Sequence, residues 1–307
     1  MLSRRNIRIK VLQSLYAASM SPELSGDLLL ESYRQSCHRT YRLLHYVLDH
    51  FIMITSFSLR EAELRSGKLL ASDDDRAFSG ILYQNELIQS LVQNKFWATE
   101  KKRIEVPAIQ EEDILRNLYS EFSKTEDYIT YWKETKDHRD ILLKLLRFTI
   151  NHSLFEEIME DAHPAWVDDK SLILGSLKKI IKALPQHQDF YSEFALDEDL
   201  IDEFGRNMLL AVWNQDDALA ESIEPTLKNW EIKRVAALDL IILKMAVCEF
   251  IYFPSVPTKV TLNEFVEIAK QYSTDKSKDF INGILDRLMK ELTTAGRIQK
   301  TGRGLLE

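Results

Sequence analysis

Apolar residues along this chain recur at the three- and four-residue spacing of helix faces, and no stretch alternates apolar and polar strongly enough to predict a strand. The clearest run is 235–252, where Val235, Leu238, Ile241, Ile242, Leu243, Met245, Val247, Phe250 and Ile251 leave no polar face. A helix that is apolar all round belongs at the centre of a fold. Its 18 residues reach the lower edge of membrane-spanning length, but Asp239, Lys244 and Glu249 interrupt it with charge and argue against a bilayer. Pro254 and Pro257 end it. Thr261 and Glu264 then stand in capping-box spacing ahead of a stripe through Leu262, Phe265, Val266, Ala269 and Tyr272. A third stripe runs through Phe280, Ile281, Ile284, Leu285, Leu288, Met289 and Leu292, with Gly283 on the opposite face, where it would let a neighbouring backbone approach or is simply a tolerated surface Gly.

Upstream, Ser3 is placed to cap a first helix whose Ile7, Val11, Leu15 and Ala18 share a face. A long helix is expected over 27–64, and further helices over 80–97, 108–123, 126–134, 137–161, 166–184, 196–213 and 216–228. The fold class is therefore all-α. Only 9 Gly and 7 Pro in 307 residues agree with long helices, and 45% apolar residues are enough for a sizeable core. Cys37 and Cys248 fall on apolar helical stretches, as buried free thiols of a reducing compartment would. Charge breaks up any apolar segment in the first twenty residues, so no signal peptide is read there and a cytoplasmic protein is expected.

Charge changes the picture at one end. Residues 1–20 carry Arg4, Arg5, Arg8 and Lys10 and no acid; residues 256–307 carry nine Lys or Arg against seven Asp or Glu. The termini are thus +4 and +2, and 21–255 holds −14 of a net −8. A nucleic-acid binder with this balance would use a local basic patch rather than a basic surface. Arginines in the first turns of a helix oppose its dipole, and Arg4 and Arg8 repel at i,i+4, so an anion beside them would relieve both penalties; a frayed, solvated basic terminus is the alternative. Tyr16 follows the basic turns and lies off the apolar line, where a ring can stack an unpaired base; an ordinary core-edge Tyr is the alternative. The turn Ser273–Lys278 offers hydroxyls, Lys276, Lys278 and a helix start, which suit phosphate or simply cap the helix.

Catalytic patterns are missing. The chain has no G-x-G-x-x-G, no phosphate loop and no C-x-x-C. His38 and His45 could share a face but have no third ligand at useful spacing, and the acidic runs Asp73–Asp75, Glu156–Glu157 and Asp168–Asp169 read as solvated surface. No metal, cofactor or enzyme activity is expected.

The ordered set Trp230, Arg234, Asp239, Leu243, Ala246, Glu249, Pro257, Val260, Asn263, Glu264, Ala269, Lys270, Phe280, Asn282, Gly283 and Leu285 resembles the C-terminal half of the NusB family of bacterial transcription antitermination factors. A weaker match reaches back to about Asp197, and a short one covers Arg4 to Tyr16. The segment between the first helix and about Leu196 is much longer than in compact NusB proteins. The resemblance implies two packed helical bundles, divided here into an enlarged region 1–195 and a NusB-like region 196–307. It implies binding of single-stranded boxA-type RNA together with the small-subunit ribosomal protein NusE. The assembly would join RNA polymerase and favour transcription of ribosomal RNA operons. RNA contacts would come from Arg4, Arg5, Arg8, Lys10, Tyr16, Lys276, Ser277 and Lys278, and partner contacts from Asp239, Glu249 and Glu264. Two alternatives stand beside this: a helical scaffold that binds protein only, and an RNA-binding accessory of a ribosomal RNA methyltransferase.

Overall fold

Ser3 starts the first helix, α1 (Arg4–Ser19), by a reciprocal cap: its hydroxyl accepts from the Asn6 N–H, and the Asn6 side chain accepts from the Ser3 N–H. The computed structural model describes residues 1–21, 23–109, 111–135, 137–185, 194–227 and 231–305. Trp230, which carries part of the resemblance, lies outside the described residues. Among the described residues every regular element is helical, and no helix is long and apolar enough to cross a membrane.

The chain forms two units: residues 2–37 fold with 197–307, and His38–Leu196 folds with Met1. α2 (Gly26–Ser66) is one helix of 41 residues that begins in the first of these units and continues in the second.

The middle unit then holds α3 (Asp73–Ala77), α4 (Ile81–Gln84), α5 (Glu86–Val92), α6 (Lys95–Arg103), α7 (Glu112–Phe122), α8 (Glu126–Thr130), α9 (His138–Ile150), α10 (Ser153–Ala162) and α11 (Trp166–Ala183). Its core gathers Leu44, Leu48, Phe51, Leu142, Phe155, Trp166 and Leu177. Two stretches read as single helices are broken by polar caps. In 80–97 the Asn85 side chain accepts from the Leu87 and Ile88 N–H groups and Asn94 from that of Trp97, so each restarts the helix. In 137–161 the break is at Asn151 and His152, whose ring accepts from the Leu154 N–H. Two acids expected in solvated runs are buried instead. Asp75 completes a capping box with Ser72 and holds Lys68 at 2.7 Å, and Asp169 accepts from Thr40 at 2.6 Å.

The other unit adds a π-helical turn at Leu200–Arg206, then α12 (Asn207–Asn214), α13 (Asp216–Ile223), α14 (Ala237–Tyr252), α15 (Thr258–Tyr272) and α16 (Asp275–Thr294). α14 packs against α1, α12, α13, α15 and α16, and its residues 242–250 are all buried, which is why the sequence there has no polar face. Two local expectations change. α15 starts at Thr258 behind Pro257; Thr261 is inside the helix and donates to Glu249 at 2.7 Å rather than capping. Gly283 faces open space, with nothing within 4 Å of an added Cβ. The close approach is at Gly205, where a Cβ would fall 2.6 Å from Ile7 Cγ2 and closer still to the Tyr33 hydroxyl.

Candidate nucleic-acid and partner surface

α1 offers its first turns to both solvent and core. Arg4 and Arg5 are exposed, Ile7 is fully buried, and Arg8 is only 2% exposed. A guanidinium that leaves water needs a full set of acceptors. Arg8 finds one carboxylate: its Nε and Nη2 each donate to Glu249 at 2.7 Å, and Glu249 is itself 0% exposed and accepts a third bond from Thr261. The Phe204 and Phe265 rings lie 5.1 and 5.8 Å from the Arg8 guanidinium carbon. Arg8 is therefore built into the core between α1, α14 and α15, and presents no surface to a phosphate.

Arg5 sits three residues earlier, nearly a full turn away, and reaches α15 instead. Its Nε donates to Glu264 Oε2 at 2.8 Å and its Nη2 to Glu264 Oε1 at 2.7 Å. The hydrogen bond from Arg5 holds the Glu264 carboxyl below its ordinary range, and Glu264 in turn raises the Arg5 guanidinium. Glu264 Oε2 also stands 3.6 Å from Arg8 Nη1. The four groups form a line of alternating charge from Glu249 through Arg8 and Glu264 to Arg5, with side-chain exposures of 0%, 2%, 20% and 47%.

This line joins residues that sequence reasoning kept apart. Glu249 and Glu264, expected to face a protein partner, are the acceptors of Arg8 and Arg5, expected to face RNA. The anion needed to relieve the crowded cations of α1 is supplied by the chain itself. Arg4 stays outside the line, exposed, with its guanidinium carbon 5.5 Å from the Phe204 ring centre. Lys10 is 4% exposed and so is enclosed by protein, whereas Tyr16 keeps 40% of its surface in solvent. Arg5 and Tyr16 are separated by about 16 Å along the axis, from 1.5 Å per residue.

The second candidate surface lies at the other end of α15. Asp239, in the first turn of α14, accepts from the Ser273 hydroxyl at 2.6 Å, which ties the turn before α16 to the start of α14. Thr274 caps α16 by accepting from the Ser277 N–H, and the Thr274 and Ser277 hydroxyls lie 2.9 Å apart. Ser277 is thereby a buried capping residue, while Lys276 is exposed and Lys278 half-buried. Asp239 is 5% exposed, so any effect on a partner passes through the shape of this turn. The third charge of α14, Lys244, pairs with Asp216 at 2.5 Å. That pair edges an apolar cleft of about 390 Å³ lined by Leu15, Val212, Trp213, Leu240 and Ile241.

Among the described residues no group of three or more His, Cys, Asp or Glu is placed to hold a metal ion. Sequence reasoning missed Thr261, Phe204 and Phe265 as parts of the line; nothing in their spacing marks them, because each reaches its partner across the fold.

The NusB family model matches residues 174–290. The transcription antitermination protein NusB of Salinibacter ruber is 42% identical over 112 residues, covering 36% of this chain and 70% of that protein. The protein of the same name from Chloroherpeton thalassium is 48% identical over 79 residues, 26% of this chain and 37% of that one. That of Natranaerobius thermophilus is 34% identical over 123 residues, 34% of this chain and 88% of that one. No solved structure matches.

Proposed function

Because this chain belongs to the NusB family, we propose that it acts in transcription antitermination, binding single-stranded boxA-type RNA jointly with the ribosomal protein NusE. The complex would join RNA polymerase in the cytoplasm and sustain transcription of ribosomal RNA operons, with no catalytic step. The observation that carries this reading is local. In an acidic chain, α1 leaves Arg4, Arg5 and Tyr16 in solvent, and it is packed on the helices that match the family. Lys276 and Lys278 would extend the RNA path at the α16 start. Arg8, Lys10 and Ser277, buried as they are, would support the contacts rather than make them. We assign RNA and partner recognition to α1 together with the NusB-like region from 196 onward, and leave the enlarged middle region without a role.

A scaffold that binds only protein is the second reading, favoured by the two ion pairs that tie up Arg5 and Arg8. A salt series separates the two. Each phosphate contact on a single strand contributes a slope of about 0.7 in log affinity against log salt. Replacing Arg4 and Arg5 by Gln should flatten the slope for a boxA oligonucleotide by about 1.4, from two contacts at that value. An unchanged slope in fluorescence anisotropy would favour the scaffold.

A further inference from the structure

We propose that Glu264 is a positioning residue for RNA: it holds the Arg5 guanidinium so that one edge is fixed in the protein and the other faces a phosphate. The inference rests on the RNA-binding reading above and adds how its central contact is made.

A guanidinium has five N–H groups in a rigid plane. Glu264 takes one from Nε and one from Nη2, the side edge of the fork. Three N–H groups remain, and two of them, one on Nη1 and one on Nη2, form the end edge; Nη1 makes no hydrogen bond within the described residues. That free pair matches the two oxygens of a phosphodiester, which arginine binds with two parallel hydrogen bonds. Arg5 is 47% exposed, so a phosphate can approach the guanidinium from solvent. Arg8 shows the closed counterpart: the same side edge is held by Glu249, and its Nη1 points at Glu264 from 3.6 Å. The line of charges thus starts at an enclosed carboxylate and ends at one unfilled donor pair. Arg8 places a positive charge 3.6 Å from Glu264, and Glu264 holds Arg5 by two hydrogen bonds.

The sign of the effect distinguishes positioning from plain electrostatics. Glu264 is negative, so on charge alone its removal should help a polyanion bind. If it positions Arg5, its removal frees a long side chain that RNA must then order, and binding should weaken. Immobilising one such side chain corresponds to about a twofold to tenfold change in affinity. Glu267 supplies the control. It is exposed, adds to the field at Arg5 and makes no hydrogen bond to it.

The experiment measures binding of the full chain to a fluorescent single-stranded boxA RNA by anisotropy at fixed low salt. Glu267→Gln should bind as tightly as the parent or more tightly, and Glu264→Gln about twofold to tenfold more weakly. Gln keeps the size but presents an amide N–H to one of the Arg5 donors, so the two-pronged bond is lost. Arg5→Lys, which keeps charge without the fork, should weaken binding similarly. In that background Glu264→Gln should cause no further loss, which reports coupling even if the single variant is less stable. Glu264→Gln binding more tightly, in step with Glu267→Gln, or an undiminished loss in the Arg5→Lys background, overturns the proposal. Unaltered binding by the Arg4→Gln/Arg5→Gln variant would instead overturn the RNA-binding reading itself.

Discussion

Replacing Arg8 by Ala is the sharpest test of the buried line, because two accounts of this residue differ by orders of magnitude. As a solvated cation at a helix start, Arg8 would be worth no more than about 0.5 kcal/mol. As found, it is 2% exposed and is the only cation with a hydrogen bond to the Glu249 carboxylate among the described residues, where Glu249 is wholly enclosed; Lys300 donates to the Glu249 backbone carbonyl at 3.2 Å instead. Its removal leaves a carboxylate in the core with only the Thr261 hydroxyl, and an orphaned buried charge costs about 3–5 kcal/mol. Loss of the guanidinium from beside the Phe204 and Phe265 rings adds to this. The readout should be local, since a global melt of a two-unit chain mixes transitions. Native-state hydrogen exchange of α14 residues 242–250 should speed up by about two to four decades, at about 1.4 kcal/mol per decade. The Arg8→Met/Glu249→Met variant should recover most of that loss, because replacing both charges by apolar groups of similar size is close to neutral or stabilising. Thr261 would still reach the Pro257 carbonyl at 3.4 Å. A single variant that changes α14 protection by less than about tenfold, or a double variant no better than the single, refutes the reasoning.

Further outcomes follow from the packing. Gly205→Ala should destabilise the unit containing α1 by about 1–3 kcal/mol or more in urea unfolding, because its Cβ meets Tyr33 and Ile7, whereas Gly283→Ala, with open space around it, should stabilise it by about 1 kcal/mol. Burial lowers the His45 imidazole from 6.5 to about 4, with Glu100 opposing and Lys101 and Arg103 assisting. The unfolded chain therefore takes up this proton first. The stabilising contribution is full above pH 6.5 and is lost as pH falls through the window down to about 4, by at most about 3 kcal/mol. Urea midpoints of the parent and His45→Asn at about pH 7.5 and about pH 4 should show the parent losing more stability than the variant on acidification, and equal losses would exclude His45 as the cause.

How much of this was legible in the sequence depends on the kind of signal. α14 was plain, because a helix packed on all sides must be apolar on all sides, and Ser3 was plain because a cap is a local device. The breaks at Asn85, Asn94 and His152 were not, because the apolar spacing continues across them, and an Asn or His that caps looks the same as one inside a helix. The site divides in the same way. Which residues carry charge was visible; which of them face water was not. A clue was available: Arg8, Leu12 and Leu15 follow i, i+4, i+7 spacing, as do Ile242, Met245 and Glu249 in reverse. Each ion therefore lay on the apolar stripe of its own helix, and two opposite charges on two buried stripes had reason to meet. Glu264 gave no such clue, since its capping-box spacing with Thr261 supplied a local explanation that α15, starting at Thr258, does not use.

The central claim is antitermination through a boxA-type RNA. It is tested most directly by transcription in vitro from paired templates that carry a terminator with and without an upstream boxA element, with RNA polymerase, the ribosomal partner and this protein added stepwise. The account predicts that the protein raises read-through on the boxA template when the partner is present. The Arg4→Gln/Arg5→Gln variant should lose the gain, and the template lacking boxA should show none. Equal read-through on the two templates, or an undiminished gain with the variant, would contradict it.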